Sequence, residues 1–513
     1  YGSAILGLGV IVNGTLKALS IDFSPSLTVF GLFICWIVIN IGLMAMLIFM
    51  EIPYFLYAFY KWKYPEEYRE WEGKSVEEWY GKKYLAKIKQ ADIDIDGITV
   101  VAGENNTGKS TIGKVLFSTF NSLYNITDKI YNQRLKEIDS SNKEILQNHI
   151  KVDQSYHYVI KYILYVGNCI NRYISNADNQ KNMDSKDKII TDLRKEIEKN
   201  DENVPDYFND YETTVEEIAN NIIRVMNVSE DVLMKEIISR YFSDVFNGQI
   251  NSLSIVDGNE LAEVLLKIND KQNRILFGNN VCGMISREIN IQHKAIYIDN
   301  PFIIDGLSKN QNPDIINKSL KDLLVRENEN ILDDVIGSVI AKEKLNTIEE
   351  LLDKVVDGDI SNNSRTGELY LQNKEYKEPI ALSNLSTGVK SFAVLKMLLE
   401  KGSLYEKDVL ILDEPEIHLH PQWQIEYAEL LVLLQKQFNL SVIVTTHSPY
   451  FVDAINLFSC KYETDNAVNY YMSVVDYDGI KMEKVTDNID KIYKKMASPI
   501  EVLDTLRYEL NNN

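Results

Sequence analysis

The 513-residue chain has only four cysteines, Cys35, Cys169, Cys282 and Cys460, far apart and never in a C-x-x-C pair. That excludes a disulfide scaffold and a Cys-rich zinc site, and a reducing compartment is expected to face most of the chain. Proline is scarce too, with 11 residues, while hydrophobic residues make up 45% and charged residues 25%. Such a balance argues against disordered, collagen-like and low-complexity classes. Positive charge is in deficit: 54 Lys and Arg stand against 75 Asp and Glu, a formal charge of −21. The whole chain therefore has no general attraction for phosphate backbones, and any nucleic-acid contact needs a local basic groove. Mean hydropathy is −0.20, the value of a soluble protein. The length suits two to four domains, or one large domain with insertions.

The average conceals an uneven start. Phe23 to Met50 is a run of 28 residues without a charge. As a helix it would reach roughly 42 Å, more than the ~30 Å hydrocarbon core of a bilayer. Two readings stand for residues 27–50: a transmembrane helix, or a helix buried in a large core, which rarely runs so long without a polar face. A signal peptide fits poorly, because no small-residue cleavage site follows. Beyond it, Tyr54, Phe55, Tyr57, Phe59, Tyr60, Trp62 and Tyr64 alternate with Lys61 and Lys63, a composition suited to the headgroup level. The Lys and Arg that continue to Lys89 place this side in the cytoplasm by the positive-inside rule. The expectation is a membrane anchor at 1–60, with Ala4 to Val12 as the remnant of another membrane helix, and an aromatic and basic linker at 61–90. A true start near Met44, Met46 or Met50 would remove most of the anchor and leave a cytoplasmic protein.

Thr99 to Ala102 is an apolar run followed by Gly103-Glu104-Asn105-Asn106-Thr107-Gly108-Lys109-Ser110 and a helical stretch from Thr111 to Phe120. This is G-x-x-x-x-G-K-[ST] between a strand and a helix, the setting in which curled backbone N–H groups and a helix N-terminus hold phosphates. Lys109 is expected on the β- and γ-phosphates and Ser110 on Mg²⁺. Gly103 to Gly108 and Thr111 would form the rest of the nucleotide cradle. Asp408 to Glu414 reads as a central parallel strand ending in two carboxylates, Asp413 for Mg²⁺ and Glu414 as the general base for the attacking water. A third strand, Ser441 to Thr446, ends at His447, placed to sense the γ-phosphate or orient water. Ser383 to Ser391 is a small polar loop leading into an apolar helix, a second anion-seeking surface.

Together these motifs resemble ABC-type ATPases of the SMC, RecF and OLD branch. Walker A is Gly103 to Ser110, the signature-like element Leu385-Ser386-Thr387-Gly388, Walker B Leu410 to Glu414, and His447 the switch histidine. Asp413 to Pro421 is similar to the extended Walker B and D-loop of standalone bacterial ATPases of that branch, several linked to phage defence. The resemblance covers roughly residues 91–127 and 270–513. It implies an α/β fold, a P-loop NTPase of ABC-type head with a mixed sheet and flanking helices, with ATP and Mg²⁺ as cofactors. It also implies a homodimer sandwiching two ATPs, with Ser386, Thr387, Gly388 and Lys390 of one protomer facing the nucleotide of the other. Gln292 is a weak candidate for the Q-loop glutamine. His418 and His420 suit either a metal pair without a visible third ligand or D-loop interface chemistry.

Walker A and the signature are separated by 386 − 110 = 276 residues. Ile189, Leu193 and Ile197, and Ile218, Ile222 and Val225, mark helical stripes. Residues 128–247 are read as an all-helical insertion between the head segments 91–127 and 248–513, too short in periodicity for a long coiled arm. Tyr158 to Val166 is too short to span a bilayer and reads as a buried helix. Strands are expected at Ala295 to Pro301, Gly367 to Leu371, Tyr470 to Val475 and Gly479 to Val485, and a terminal helix at Pro499 to Leu510. The 513 − 447 = 66 residues after His447 do not accommodate a Toprim nuclease domain. The leading expectation is a membrane-tethered ATP-hydrolysing switch, acting in phage defence or a similar stress system with a separate effector. A RecF- or SMC-like DNA-associated ATPase is the alternative and a transporter subunit a third class; nucleic-acid binding stays open.

Overall fold

The structure, a computed structural model, describes residues 85–512 apart from 152–155, 176–185, 200, 202, 252–260, 308–312, 326–347, 363–367, 374–376 and 477–478. The expected anchor at 1–60 and nearly all of the linker at 61–90 lie outside the described residues. Among the described residues no helix is long and apolar enough to cross a membrane.

Two strands, β1 (Ile88–Ala91) and β2 (Ile98–Ala102), open the head, and every residue of β2 is buried. The phosphate-loop motif leads from β2 into α1 (Lys109–Leu123). Among the described residues, helices follow with no strand between them: α2 (Ile126–His149), α3 (Tyr156–Ser175), α4 (Lys186–Glu198), α5 (Tyr211–Met226) and α6 (Glu230–Phe246). The stripes read from the sequence are the buried faces: Ile189, Leu193 and Ile197 of α4 and Ile218, Ile222 and Val225 of α5 are at most 5% exposed. They close a core of their own with α2 and α3. Inside it Asn221 donates to Asn142 Oδ1 at 2.8 Å, a buried polar contact that ties α5 to α2. Asp210 and Ser229 cap α5 and α6 by accepting from backbone N–H groups. Helices α2 to α5 thus share one core, whereas α6 joins another: Ile238, Phe242 and Val245 pack with Phe117, Phe120 and Leu123 of α1.

The chain then forms an antiparallel sheet of β3 (Ala262–Ile268), β4 (Lys271–Gly278) and β5 (Val281–Arg287). It continues through β6 (Ala295–Ile298) and α7 (Ile315–Val325) to a small sheet of β7 (Asp359–Asn362), β8 (Leu369–Gln372) and β9 (Ile380–Ala381). Next come α8 (Thr387–Glu400), β10 (Val409–Asp413), α9 (Pro421–Phe438), β11 (Ser441–Thr446) and α10 (Pro449–Lys461). The hairpin β12 (Val468–Asp476) and β13 (Gly479–Lys484) precedes α11 (Asp490–Asn512).

Seven strands make the main sheet in the order β1-β13-β12-β2-β11-β10-β6. The run from β12 to β6 is parallel throughout, whereas β13 is antiparallel to β12. Both faces of the parallel part are covered, which is why β2, β10 and β11 read as continuous apolar runs instead of alternating ones. A parallel sheet places every strand's carboxyl end on one edge. The phosphate loop and His447 follow β2 and β11 and Asp413 ends β10, so the topology alone gathers them.

Candidate nucleotide site

The loop begins at Gly103, whose N–H donates to Thr446 O at 3.3 Å, so it is tied to the strand that carries His447. A Cβ on Gly103 would lie 1.8 Å from Ser473 Oγ of β12, and one on Gly108 3.0 Å from Ile88 Cγ1. Gly108 also has φ of 76°, the left-handed region that glycine enters at least cost. Both glycines are therefore required by the space around them. Thr107 is buried, within 2.7 Å of Glu104 O and of Ser473 Oγ, while Glu104, Asn105 and Asn106 are exposed on the loop's rim. Lys87 donates to Asn106 Oδ1 at 2.8 Å and braces that rim from outside. Thr111 N–H returns to Gly108 O at 3.1 Å. No acidic residue occupies the first turn of α1, so its positive end is not neutralised by its own side chains.

Lys109 is 3% exposed; its ammonium donates to Glu104 O at 2.8 Å and lies 3.3 Å from Glu414 Oε1. Asp413 collects three hydroxyls: Ser110 Oγ on Oδ1 at 3.0 Å, Thr445 Oγ1 on Oδ1, and Tyr297 OH on Oδ2 at 2.7 Å. Glu414 has φ of 51°, a left-handed backbone that costs a non-glycine residue about 1–2 kcal/mol. It is retained because Glu414 N–H is held by Thr445 O at 3.0 Å and Thr445 Oγ1 at 3.1 Å. Strain of this kind at a strand end aims a side chain, and here it brings Glu414 to Lys109 and to within 3.6 Å of His447 Nδ1.

Glu416 was not singled out as a site residue, yet it is 3% exposed beside His447. Its Oε1 accepts from Thr446 Oγ1 at 2.5 Å and from His447 N–H at 2.9 Å, while Oε2 is buried with no hydrogen-bond partner among the described residues. Burial raises its carboxyl above the ordinary range, and the two donors offset part of that. Asp299, at the carboxyl end of β6, is likewise raised by desolvation and then by the charge of Asp413. Residues Tyr297, Thr445 and Ser473 were also invisible as site residues. Their signal was a hydroxyl on a buried strand of the central sheet, which has to find a partner.

The signature-like element begins α8, with Ser386 exposed at the N-cap and its hydroxyl bonded to no backbone N–H of the helix. Gly388 is buried, and a Cβ there would meet the Trp423 ring at 2.8 Å and His418 O at 3.2 Å, so it lets α8 approach α9. Lys390, which the resemblance turns toward a second nucleotide, is engaged within its own chain. It is 3% exposed, and its ammonium is taken by Asp305 at 2.8 Å and Ser383 O at 2.8 Å, with the Phe302 ring 5.3 Å away. A buried ammonium must be paired where it lies, which removes it from the helix's outer surface. Gln292 is also displaced from its expected part: it precedes β6, at the amino edge of the sheet, opposite the edge that carries Asp413. His418 stacks edge-on to Phe302, and His420 is the N-cap of α9. Among the described residues no cluster of three or more His, Cys, Asp or Glu could hold a metal.

The family described as AAA ATPase domain matches residues 86–452. An OLD nuclease of Thermus scotoductus is 30% identical over 131 residues, which is 25% of this chain and 24% of that protein, so the chain spans about a quarter of the length of that relative. The SMC head domain from Thermotoga maritima is 13% identical, over 45% of this chain and 75% of that one, with a TM-score of 0.25. A Smc head with an extended coiled coil from Pyrococcus furiosus, bound to the C-terminal domain of ScpA, is 10% identical over 82% and 98%, with a TM-score of 0.26.

Proposed function

The chain belongs to the AAA ATPase domain family, and from that premise we propose that it is an ATP hydrolase of the SMC and OLD type, with ATP bound and cleaved at the edge formed by β2, β10 and β11. The supporting observation is the convergence of Lys109, Ser110, Asp413, Glu414 and His447, from three strand ends, onto one spot. The donor set fits the nucleotide and its ion. A loop whose glycines have no room for side chains, followed by an uncompensated helix N-terminus, is a phosphate cradle. A serine hydroxyl and a carboxylate are hard oxygen ligands suited to Mg²⁺. Mg²⁺ held there would neutralise charge on the β- and γ-phosphates.

The residues divide the work. Lys109 exchanges Glu104 O and Glu414 for phosphate oxygens, which frees the Glu414 carboxylate. Glu414 takes the proton of the attacking water as general base, and His447, on the adjoining strand end, orients that water or the γ-phosphate. The 3.3 Å pairing of Lys109 with Glu414 would open when the ammonium turns to phosphate, so base and cation would be released together.

On this reading the protein is a switch whose heads pair across ATP, Ser386 at the exposed start of α8 being the group offered to the partner's nucleotide. Attachment to a membrane through residues 27–50, and a separate effector in a defence or stress pathway, are parts of the same proposal that rest on the sequence and the family resemblance. The test is light scattering on the Glu414→Gln variant, in which ATP persists. Doubling of mass with Mg²⁺-ATP and not with ADP is expected, and a mass that ignores the nucleotide rejects the paired-head reading.

A further inference from the structure

Tyr297 belongs to none of the nucleotide motifs, yet its hydroxyl ends on the carboxylate at their centre. β6 runs parallel to β10 with Tyr297 opposite Ile411. Asp413 therefore lies two residues, about 6.6 Å, further along the neighbouring strand and on the same face. That is the span of a phenol laid along the sheet, and its OH reaches Asp413 Oδ2 at 2.7 Å. The ring is 1% exposed and packs edge-on to Phe117 of α1, centroids 6.1 Å apart.

Helix α1 makes room for this ring at one position. A Cβ on Gly113 would lie 2.9 Å from Tyr297 Cε2 and 2.8 Å from Ile411 Cγ2. Gly113 is three residues after Ser110, on the same helix face. One face of α1 thus sends a hydroxyl to Asp413 Oδ1 and, one turn later, seats the ring that reaches Oδ2. Phenylalanine would fill the same volume, so packing explains the ring but not the hydroxyl. A buried phenol donating to a carboxylate makes a charge-assisted bond that fixes the plane of the acceptor. Partners of this kind behind a metal-binding carboxylate hold it ready for the ion.

We propose that Tyr297 is a positioning residue for the divalent cation of the nucleotide site, locking Asp413 in the orientation in which it and Ser110 take the ion. The proposal rests on the ATP site proposed above. It is tested with the full chain and its Tyr297→Phe variant by following a fluorescent ATP analogue in EDTA and during Mg²⁺ titration, and by counting bound Mn²⁺ by electron paramagnetic resonance. The Mg²⁺ concentration giving half-maximal nucleotide binding should rise roughly tenfold in the variant. Affinity in EDTA should be unchanged, and Mn²⁺ affinity should fall in parallel. Phe117→Leu, which disturbs the same core without touching Asp413, should keep the wild-type Mg²⁺ dependence. An unchanged Mg²⁺ requirement in Tyr297→Phe overturns the proposal, as does an equal shift in Phe117→Leu. Absence of any Mg²⁺-dependent nucleotide binding in the wild-type chain is a different result: it rejects the site itself, and the role of Tyr297 with it.

Discussion

Gly103→Ala is the smallest change that tests whether the phosphate loop has the shape described. The added Cβ would lie 1.8 Å from Ser473 Oγ, 3.0 Å from Ser473 Cβ and 3.4 Å from Ser473 N. Ser473 can rotate its hydroxyl away only by leaving Thr107 Oγ1, now 2.7 Å distant, which forfeits about 1 kcal/mol. Rotation does not move Ser473 Cβ, so the remaining squeeze adds to a total of about 1–3 kcal/mol for overpacking. Urea denaturation should show that loss in Gly103→Ala, together with weakened nucleotide binding. Ser473→Gly alone should cost about 1 kcal/mol through the lost hydroxyl. Added to Gly103→Ala, it should recover the part lost to the squeeze against Ser473, with a coupling of about 1–2 kcal/mol between the two positions, while the strain of alanine at φ of 158° remains. Additive losses in the double variant, or a Gly103→Ala protein as stable as wild type, would refute the argument.

Other expectations are as direct. Lys390→Met should destabilise by about 1–3 kcal/mol in denaturant, at the lower side of a buried-pair loss because Asp305 is 33% exposed; loss of ATP-dependent pairing at full stability would instead restore an outward role for this lysine. Glu416 has a folded-state value raised above the ordinary 4.5, so its contribution to stability is present at acid pH and is lost as pH rises through the raised value. The melting temperature of Glu416→Gln relative to wild type should therefore climb from about pH 4.5 toward neutrality, and a pH-independent gap contradicts the burial argument. Ser110→Ala should raise the Mg²⁺ requirement of nucleotide binding by roughly tenfold or more, with little change in EDTA.

Much of the head could be read directly from the chain. The strands Thr99 to Ala102 and Ser441 to Thr446 and the strand ending at Asp413 appear within a residue or two of their expected limits, because continuous apolar runs bounded by glycine, proline and paired acids admit few alternatives. The stripes of α4 and α5 emerged for the same reason: a period near 3.6 requires a buried face. What escaped is non-local. Nothing within Glu230–Phe246 says that it packs on α1, 107 or more residues earlier, instead of on its neighbours in the insertion. Asp305, which pairs with Lys390, and Tyr297, which bonds Asp413, lie 85 and 116 residues from them, so a lysine after a signature-like motif looks exposed and a tyrosine in a strand looks like filler. The hairpins β3 to β5 did carry a signal that went unused. Asn269, Asn279 and Asn280 stand with positive φ at two-residue turns, and Asn273, Ile275 and Phe277 are buried at alternate positions of β4.

Glu414, aimed by a left-handed backbone at Lys109 and His447, is proposed as the base of an ATP hydrolase. Steady-state phosphate release from wild type and Glu414→Gln, with retained nucleotide identified after rapid desalting, tests it most directly. A rate lower by roughly 100-fold or more, with ATP and not ADP retained on the variant, is the expected result. Hydrolysis at the wild-type rate in Glu414→Gln would contradict it.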